Sequence, residues 1–236
     1  MLNAGWITAP AGIFRQGDEM DREIRFPVPV YVLETSTERI LIDTGLNPAM
    51  VADPSAHYEG AEKLGLFSFE QEQSVAEQID VRTLTKVVLT HLHWDHVGGL
   101  SLIPVSVPVV IQRSEWEAGH DAAAVERNFF FPADYADREM VLVDGDCDLL
   151  GDGSIELLLT PGHTPGHQSV RIGDVVLGAD VAHFVATYDD HRFPIFGDHE
   201  RQAHSAQRLR GMRNAGKTVV PGHDPGVLRP GVLTIG

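Results

Sequence analysis

The sequence predicts a layered α/β (α+β) domain, and three observations carry that expectation. Short, apolar, β-branched runs recur along the chain; helical stretches separate several of them; and four of the runs stop at a histidine or aspartate set among turn residues. Strands that arrive in runs with helices between them build sheets whose faces the helices cover. At 236 residues, one large domain, 1–236, is the expected organisation.

Taken in order, residues 1–25 are mixed and weakly patterned. Phe26–Glu34 reads as a strand, with its prolines confined to the start or to an edge. Thr35–Glu38 turns it into a second strand, Arg39–Asp43, to make a hairpin. From Leu46 to Phe69 the pattern is irregular, with Pro48, Pro54, Gly60 and Gly65. A loop of that length in a compact domain is functional or partly helical; its Leu64, Leu66, Phe67 and Phe69 either line a substrate channel or pack the loop down. Glu70–Leu84 is expected to be a helix with Val75, Ile79 and Leu84 on its inner face. Lys86–Thr90 and Val107–Ile111 read as strands, the second followed by a charged helical stretch at Arg113–Glu117. A second irregular insertion, 120–139, holds Phe129-Phe130-Phe131, a run that is either buried or a binding surface. Met140–Val143, Ile155–Leu159, Gln168–Ile172 and Val175–Leu177 follow as strands, then a helix from Glu200 to Ala215 and a last strand at Thr218–Val220.

Composition narrows the function. With 43% hydrophobic and 22% charged residues the chain is ordinary globular protein. A net charge of −16 excludes nucleic acid and anionic membrane surfaces as natural partners, because their phosphates would be repelled. The single cysteine, Cys147, excludes an internal disulfide and a Cys-based zinc site, and reads as a packed or turn residue. The N-terminus lacks the basic start and apolar core of a signal peptide, and no apolar run approaches the length of a membrane span. A cytoplasmic location is the simplest expectation.

The chemistry concentrates in His91-Leu-His93-Trp-Asp95-His96, directly after an apolar strand. Imidazole nitrogen and carboxylate oxygen are the usual protein ligands of zinc. In an extended turn His91 and His93 point the same way, while Asp95 and His96 swing to a second position. Trp94 and Gly98-Gly99 argue for a packed, tightly turned segment rather than a solvated loop. Three further strands end in the same grammar, at His163, Asp180 and His223. Ligands set just past strand ends converge on one edge of a sheet. The count fits two ions: His91, His93 and His163 for one, Asp95, His96 and His223 for the other, and Asp180 bridging. His167 competes with His163, since Pro-Gly-His-Thr-Pro-Gly-His repeats itself.

These motifs, with the Asp43-Thr44-Gly45 turn and Gly222-His223-Asp224, resemble the metallo-β-lactamase superfamily in order and spacing over nearly the whole chain. Phe26–Glu34, Ile111-Gln112-Arg113-Ser114-Glu115, Pro165–Ser169 and Pro221–Asp224 look most like its N-acyl-homoserine lactonase branch, whose members are quorum-quenching hydrolases. The resemblance implies an αβ/βα four-layer sandwich and two zinc ions, other divalent metals also being compatible. It selects His163 over His167 as a ligand and makes His167 structural. It implies a small lactone or ester as substrate, with a homodimer left open. The expected reaction is ring opening by attack of a metal-bridging hydroxide, with Asp95 carrying the proton to the leaving group. One position departs from the branch. Its members usually carry a tyrosine three residues after the bridging aspartate, where this chain has His183, which can donate to a developing oxyanion; Tyr188 is the alternative. A different lactone, a glyoxalase-II-like thioester and a phosphotriester are the rival substrates; a diiron redox protein and a non-catalytic binding protein are rivals of other classes.

Overall fold

The computed structural model describes residues 1–232. Two sheets face each other. The strands of the first are β1 (Leu2–Pro10), β2 (Glu23–Glu34), β3 (Arg39–Ile42), β4 (Ser68–Glu70), β5 (Lys86–Val88), β6 (Val109–Gln112) and β7 (Val141–Val143), in the order β4-β1-β2-β3-β5-β6-β7. The second is built from β8 (Cys147–Asp148), β9 (Ile155–Leu159), β10 (Gln168–Ile172), β11 (Val175–Leu177) and β12 (Thr218–Val220), in the order β12-β11-β10-β9-β8. β3, β5, β6 and β7 are parallel. In the second sheet β10 is antiparallel to both β9 and β11, and β12 is parallel to β11. So β9, β11 and β12 all run the same way and finish at the same edge.

Alternation along the strands sorts side chains into three apolar layers, as the two-residue period requires. Ile40, Ile42, Val88 and Val110 meet Ile155, Leu157, Val170 and Leu177 between the sheets. Leu41, Val87, Val109 and Ile111 point out of the first sheet and pack with Leu100, Ala118 and Ala124. Leu158 and Val176 point out of the second and pack with Ala206 and Leu209 of the helix His199–Asn214. Helix, sheet, sheet, helix is the expected four-layer sandwich. That helix starts at Asp198, whose carboxylate accepts from Arg201 N at 3.1 Å. Gln202, Ser205, Ala206 and Leu209 form its buried stripe.

Two expectations are corrected and a third, a partly helical 46–69 segment, is met. Residues 1–25, weakly patterned in sequence, hold a nine-residue strand: β1 lies paired between β2 and β4. Its alanines and glycine hide the strand, which is made by neighbours on both sides rather than by its own propensity. The helix expected over Glu70–Leu84 is one turn, Val75–Gln78, opened by a Ser74/Glu77 capping box. Ile79 is already extended, and Asp80 turns its carboxylate onto Arg82 N to start a separate turn, Val81–Thr83. The irregular insertions carry local order: short helices at Pro48–Ala52, Pro54–His57 and Ala122–Arg127. The two insertions also meet. Buried Asp134 accepts from Tyr58 Oη at 2.5 Å and lies 3.2 Å from His57 Nε2; Tyr58 stacks on Phe131 at 4.2 Å. Among the described residues, no helix is long and apolar enough to cross a membrane.

Candidate metal centre

Five strands that point at the shared edge, β3, β5, β9, β11 and β12, deliver a polar side chain just beyond their ends. β3 is followed by Asp43; β5 leads through Leu89 and Thr90 to His91 and His93, and then to Asp95 and His96 in the short helix Trp94–Val97. β9 leads to His163, β11 to Asp180 and β12 to His223. All are buried. The tight backbone depends on glycine: a Cβ at Gly99 would fall onto the Thr44 carbonyl oxygen, and one at Gly222 onto Asp180 Oδ1.

Two groups of ligand atoms form. In the first, His91 Nε2 lies 3.0 Å and His163 Nε2 2.9 Å from His93 Nδ1; Asp180 Oδ2 is 3.2 Å from His163 Nε2 and 3.7 Å from His91 Nε2. In the second, His96 Nε2 is 3.4 Å from His223 Nε2 and 3.6 Å from Asp95 Oδ2, which is 3.5 Å from His223 Nε2. Asp180 stands between them, with Oδ2 3.5 Å from His96 Nε2 and Oδ1 3.2 Å from His223 Nε2. Four ligands around one zinc at its usual bond lengths stand roughly 3.4 Å apart, and the observed spacings straddle that value.

The opposite ring nitrogens explain why these atoms are bare. His93 Nε2 donates to Asn128 O (2.8 Å), His223 Nδ1 to Pro27 O (2.9 Å) and His96 Nδ1 to Asp43 Oδ2 (2.8 Å); His91 Nδ1 reaches Thr90 Oγ1 (3.0 Å). Each ring therefore turns its other nitrogen inward, the arrangement by which outer partners orient metal-binding histidines. Burial, with His96 and His93 adding to it, holds His91 well below the usual histidine range; burial and His163 do the same to His93. Burial opposes ionisation of Asp180, but His183, His223 and His96 outweigh it and hold the carboxyl well below its ordinary range. In the second group burial is outweighed the other way: Asp95, Asp180 and Asp43 hold His96 well above the usual histidine range, and Asp180 and Asp95 raise His223. Imidazoles converging on shared carboxylates, positive charge already favoured at one half, are a donor set that fits divalent cations.

His167 has no lone pair to offer. Its Nε2 accepts from Asp180 N at 3.1 Å and its Nδ1 donates to Thr160 O at 3.1 Å. His183 is buried with Nε2 3.4 Å from Asp180 Oδ2 and its ring 5.3 Å from that of His223. With these two it makes a third, overlapping group. Tyr188 does not reach the centre: it packs with Val176, Phe193 and Leu209, and its hydroxyl lies against Gly178.

The groups form the floor of a cavity of about 270 Å³. Asp95, His163, Asp180 and His183 face into it, and Phe14, Leu66, Phe67, Phe129, Ile195 and Phe196 wall it. Both insertions contribute. Leu64, Leu66 and Phe67 line the cavity, whereas Phe69 packs edge-on against Trp94 at 5.2 Å. Of the aromatic run, Phe130 and Phe131 are buried and Phe129 is the one that faces the cavity.

A family model described as the metallo-beta-lactamase superfamily matches residues 24–223. The chain belongs to that superfamily. Among relatives within it, the N-acyl homoserine lactonase AttM of Agrobacterium fabrum is 30% identical over 230 residues, covering 89% of this chain and 86% of the relative. The N-acyl homoserine lactonase of Bacillus cereus is 30% identical over 215 residues, covering 85% and 82%. Among solved structures, a Bacillus thuringiensis AiiA variant with N-decanoyl-L-homoserine bound at the active site matches with a TM-score of 0.81 at 25% identity, over 95% of this chain and 92% of that one.

Sequence reasoning missed the residues that support the superfamily's His and Asp cluster. Asn128 acts through its backbone carbonyl, which no side-chain pattern reveals. Glu115 looks like one acid in a charged helix, yet it is fully buried. Its place in the Ile111–Glu115 motif was the available signal.

Proposed function

We propose that the chain is a hydrolase that opens a lactone ring, with N-acyl-homoserine lactones as its substrates and two divalent cations, zinc first among them, as its cofactors. The observation that carries this reading is the pair of lone-pair clusters sharing Asp180 at the floor of an apolar cavity. Similarity to lactonases supports the substrate class.

His91, His93 and His163 would hold one ion, and Asp95, His96 and His223 the other, with Asp180 touching both. Bound there, the ions supply Lewis acidity to the carbonyl oxygen and to the attacking water. The net change adds water across the ring's acyl C–O bond: the hydroxyl goes to the carbonyl carbon and a proton to the departing ring oxygen. Asp95 faces the cavity beside His96 and His223, where its carboxylate can carry that proton. His183, on the cavity side of Asp180, donates a hydrogen bond to the oxyanion as it forms. The acyl chain lies along Phe14, Leu66, Phe67 and Phe196, whose apolar surfaces exclude water. Among the described residues Lys63 is the one Lys or Arg lining the cavity, and it is already paired with Glu126, which weighs against an anionic glutathione thioester.

A pH-indicator panel tests the proposal on zinc-loaded protein with acyl-homoserine lactones of several chain lengths, simple γ- and δ-lactones, lactoylglutathione and an aryl phosphotriester. Acyl-homoserine lactones are expected to give the highest kcat/KM. Preference for the thioester or the phosphotriester would overturn the substrate, and absence of any lactone hydrolysis would overturn the activity.

A further inference from the structure

We propose that Glu115 is a positioning residue that assembles the first ligand group, by tying the loop of His91 and His93 to the loop of His163. The inference rests on the two-cation reading above and goes beyond it, because Glu115 touches neither ion nor substrate.

Glu115 lies in the helix Arg113–Ala118, directly after β6, and is 0% exposed. Its Oε1 accepts from Leu92 N at 3.0 Å and its Oε2 from Gly166 N at 2.7 Å. Leu92 is the residue between His91 and His93. Gly166 ends the Thr-Pro-Gly turn that follows His163. The first loop leaves β5 in one sheet and the second leaves β9 in the other, so a single carboxylate spans the junction where three ring nitrogens must meet. Neither N–H belongs to a strand or helix ladder, and a buried amide without a partner is costly. Glu115 answers both, one with each carboxyl oxygen.

Close approach is part of the arrangement. A Cβ at Gly166 would overlap the Glu115 backbone nitrogen and lie 2.6 Å from Ser114 Oγ, so only glycine lets this turn reach the carboxylate. The second ligand group has a separate acid. Asp43 accepts from Thr90 N at 2.7 Å and Thr90 Oγ1 at 2.8 Å, and holds His96 Nδ1 at 2.8 Å. One buried carboxylate thus supports each half of the centre, and loss of Glu115 should weaken one half only.

Glu115→Gln tests this, because glutamine keeps the shape but presents an NH₂ to one of the two N–H donors. Gly166→Ala tests it from the other side, with the carboxylate intact and the loops forced apart. Purified parent and variants are dialysed against a competing chelator, then measured for zinc content, for the visible spectrum of the cobalt-substituted protein, and for kcat and KM. Circular dichroism monitors folding. The parent should retain two ions per chain. Each variant should lose one of them, with affinity down about 10–100-fold, an altered cobalt spectrum, and a fall in kcat that exceeds any rise in KM. Where Glu115→Gln does not fold, Gly166→Ala decides. A folded variant that keeps both ions and the parent's spectrum while only its melting temperature drops would overturn the positioning role. A parent that binds no divalent cation would overturn the two-cation reading itself, and this inference with it.

Discussion

Asp134→Asn isolates the clasp that joins the two insertions walling the cavity. Burial pushes the Asp134 carboxyl up to about 6 from 3.8, and bonds from Tyr58, His57 and Asn47 pull the other way. The gap of about 2 pH units corresponds to about 3 kcal/mol at 1.36 kcal/mol per unit. The folded chain holds this proton to higher pH than the unfolded chain does. The stability Asp134 contributes is therefore full below about pH 4 and is lost as pH rises to about 6, after which it is flat. Asparagine has no proton to lose. Urea unfolding of parent and variant in small steps from about pH 4 to about pH 7.5, both in a His57→Gln background that removes the titrating neighbour 3.2 Å away, gives a difference in which the remote titrating groups cancel. That difference should move in the variant's favour by about 2–3 kcal/mol across the window. A difference that stays flat would show that folding leaves the Asp134 carboxyl unshifted, and the argument from burial would fail.

Four further outcomes follow from the geometry. Tyr58→Phe keeps the stack on Phe131 but removes the hydroxyl bonded to Asp134; urea unfolding should show a loss of about 1–3 kcal/mol, and KM for long-chain substrates should rise more than kcat falls. Gly99→Ala drives a Cβ into the Thr44 carbonyl, in a segment where Thr44 N bonds His96 O at 2.7 Å; a loss of more than about 2 kcal/mol is expected by the same assay. Chelation should lower the melting temperature, since an ion at one hundred times its Kd contributes about 2.7 kcal/mol, and added zinc should restore it; an unchanged melting curve would speak against bound metal. His183→Ala should lower kcat at least tenfold with little change in KM and both ions retained. Unchanged turnover would remove His183 from the reaction.

What the sequence made legible has a physical pattern. The candidate ligand side chains could be read because each follows a short apolar run whose end is sharply marked by turn residues. β9, β11 and β12 coincide with their expected bounds for that reason, and β10 does so as the hairpin partner of β11. β1 could not be read, because Ala4, Gly5 and Ala9 carry little β signal and the strand exists through pairing with Phe26, Pro27 and Phe69 from distant segments. The over-long helix at Glu70–Leu84 failed for a local reason: Asp80 offers the backbone a competing bond, and hydrophobic spacing alone does not register that.

The site divides along the same line. His91, His93, Asp95, His96, His163, Asp180 and His223 stand together in space, and composition with spacing was enough to gather them. Their supports were hidden, because a support is defined by which backbone group it meets. Glu115 meets Leu92 N and Gly166 N, and Asn128 meets His93 through a carbonyl. The choice between His163 and His167 shows the consequence. The two lie in near-identical Thr-Pro-Gly-His and Thr-Pro-Gly-His settings, so local sequence cannot rank them. The fold ranks them by occupying both nitrogens of His167 with Asp180 N and Thr160 O, and by leaving His163 Nε2 facing His93 and Asp180. Which histidine is free to offer a nitrogen to a cation is thus set by the bonds its rival has already made, and that information exists only after folding.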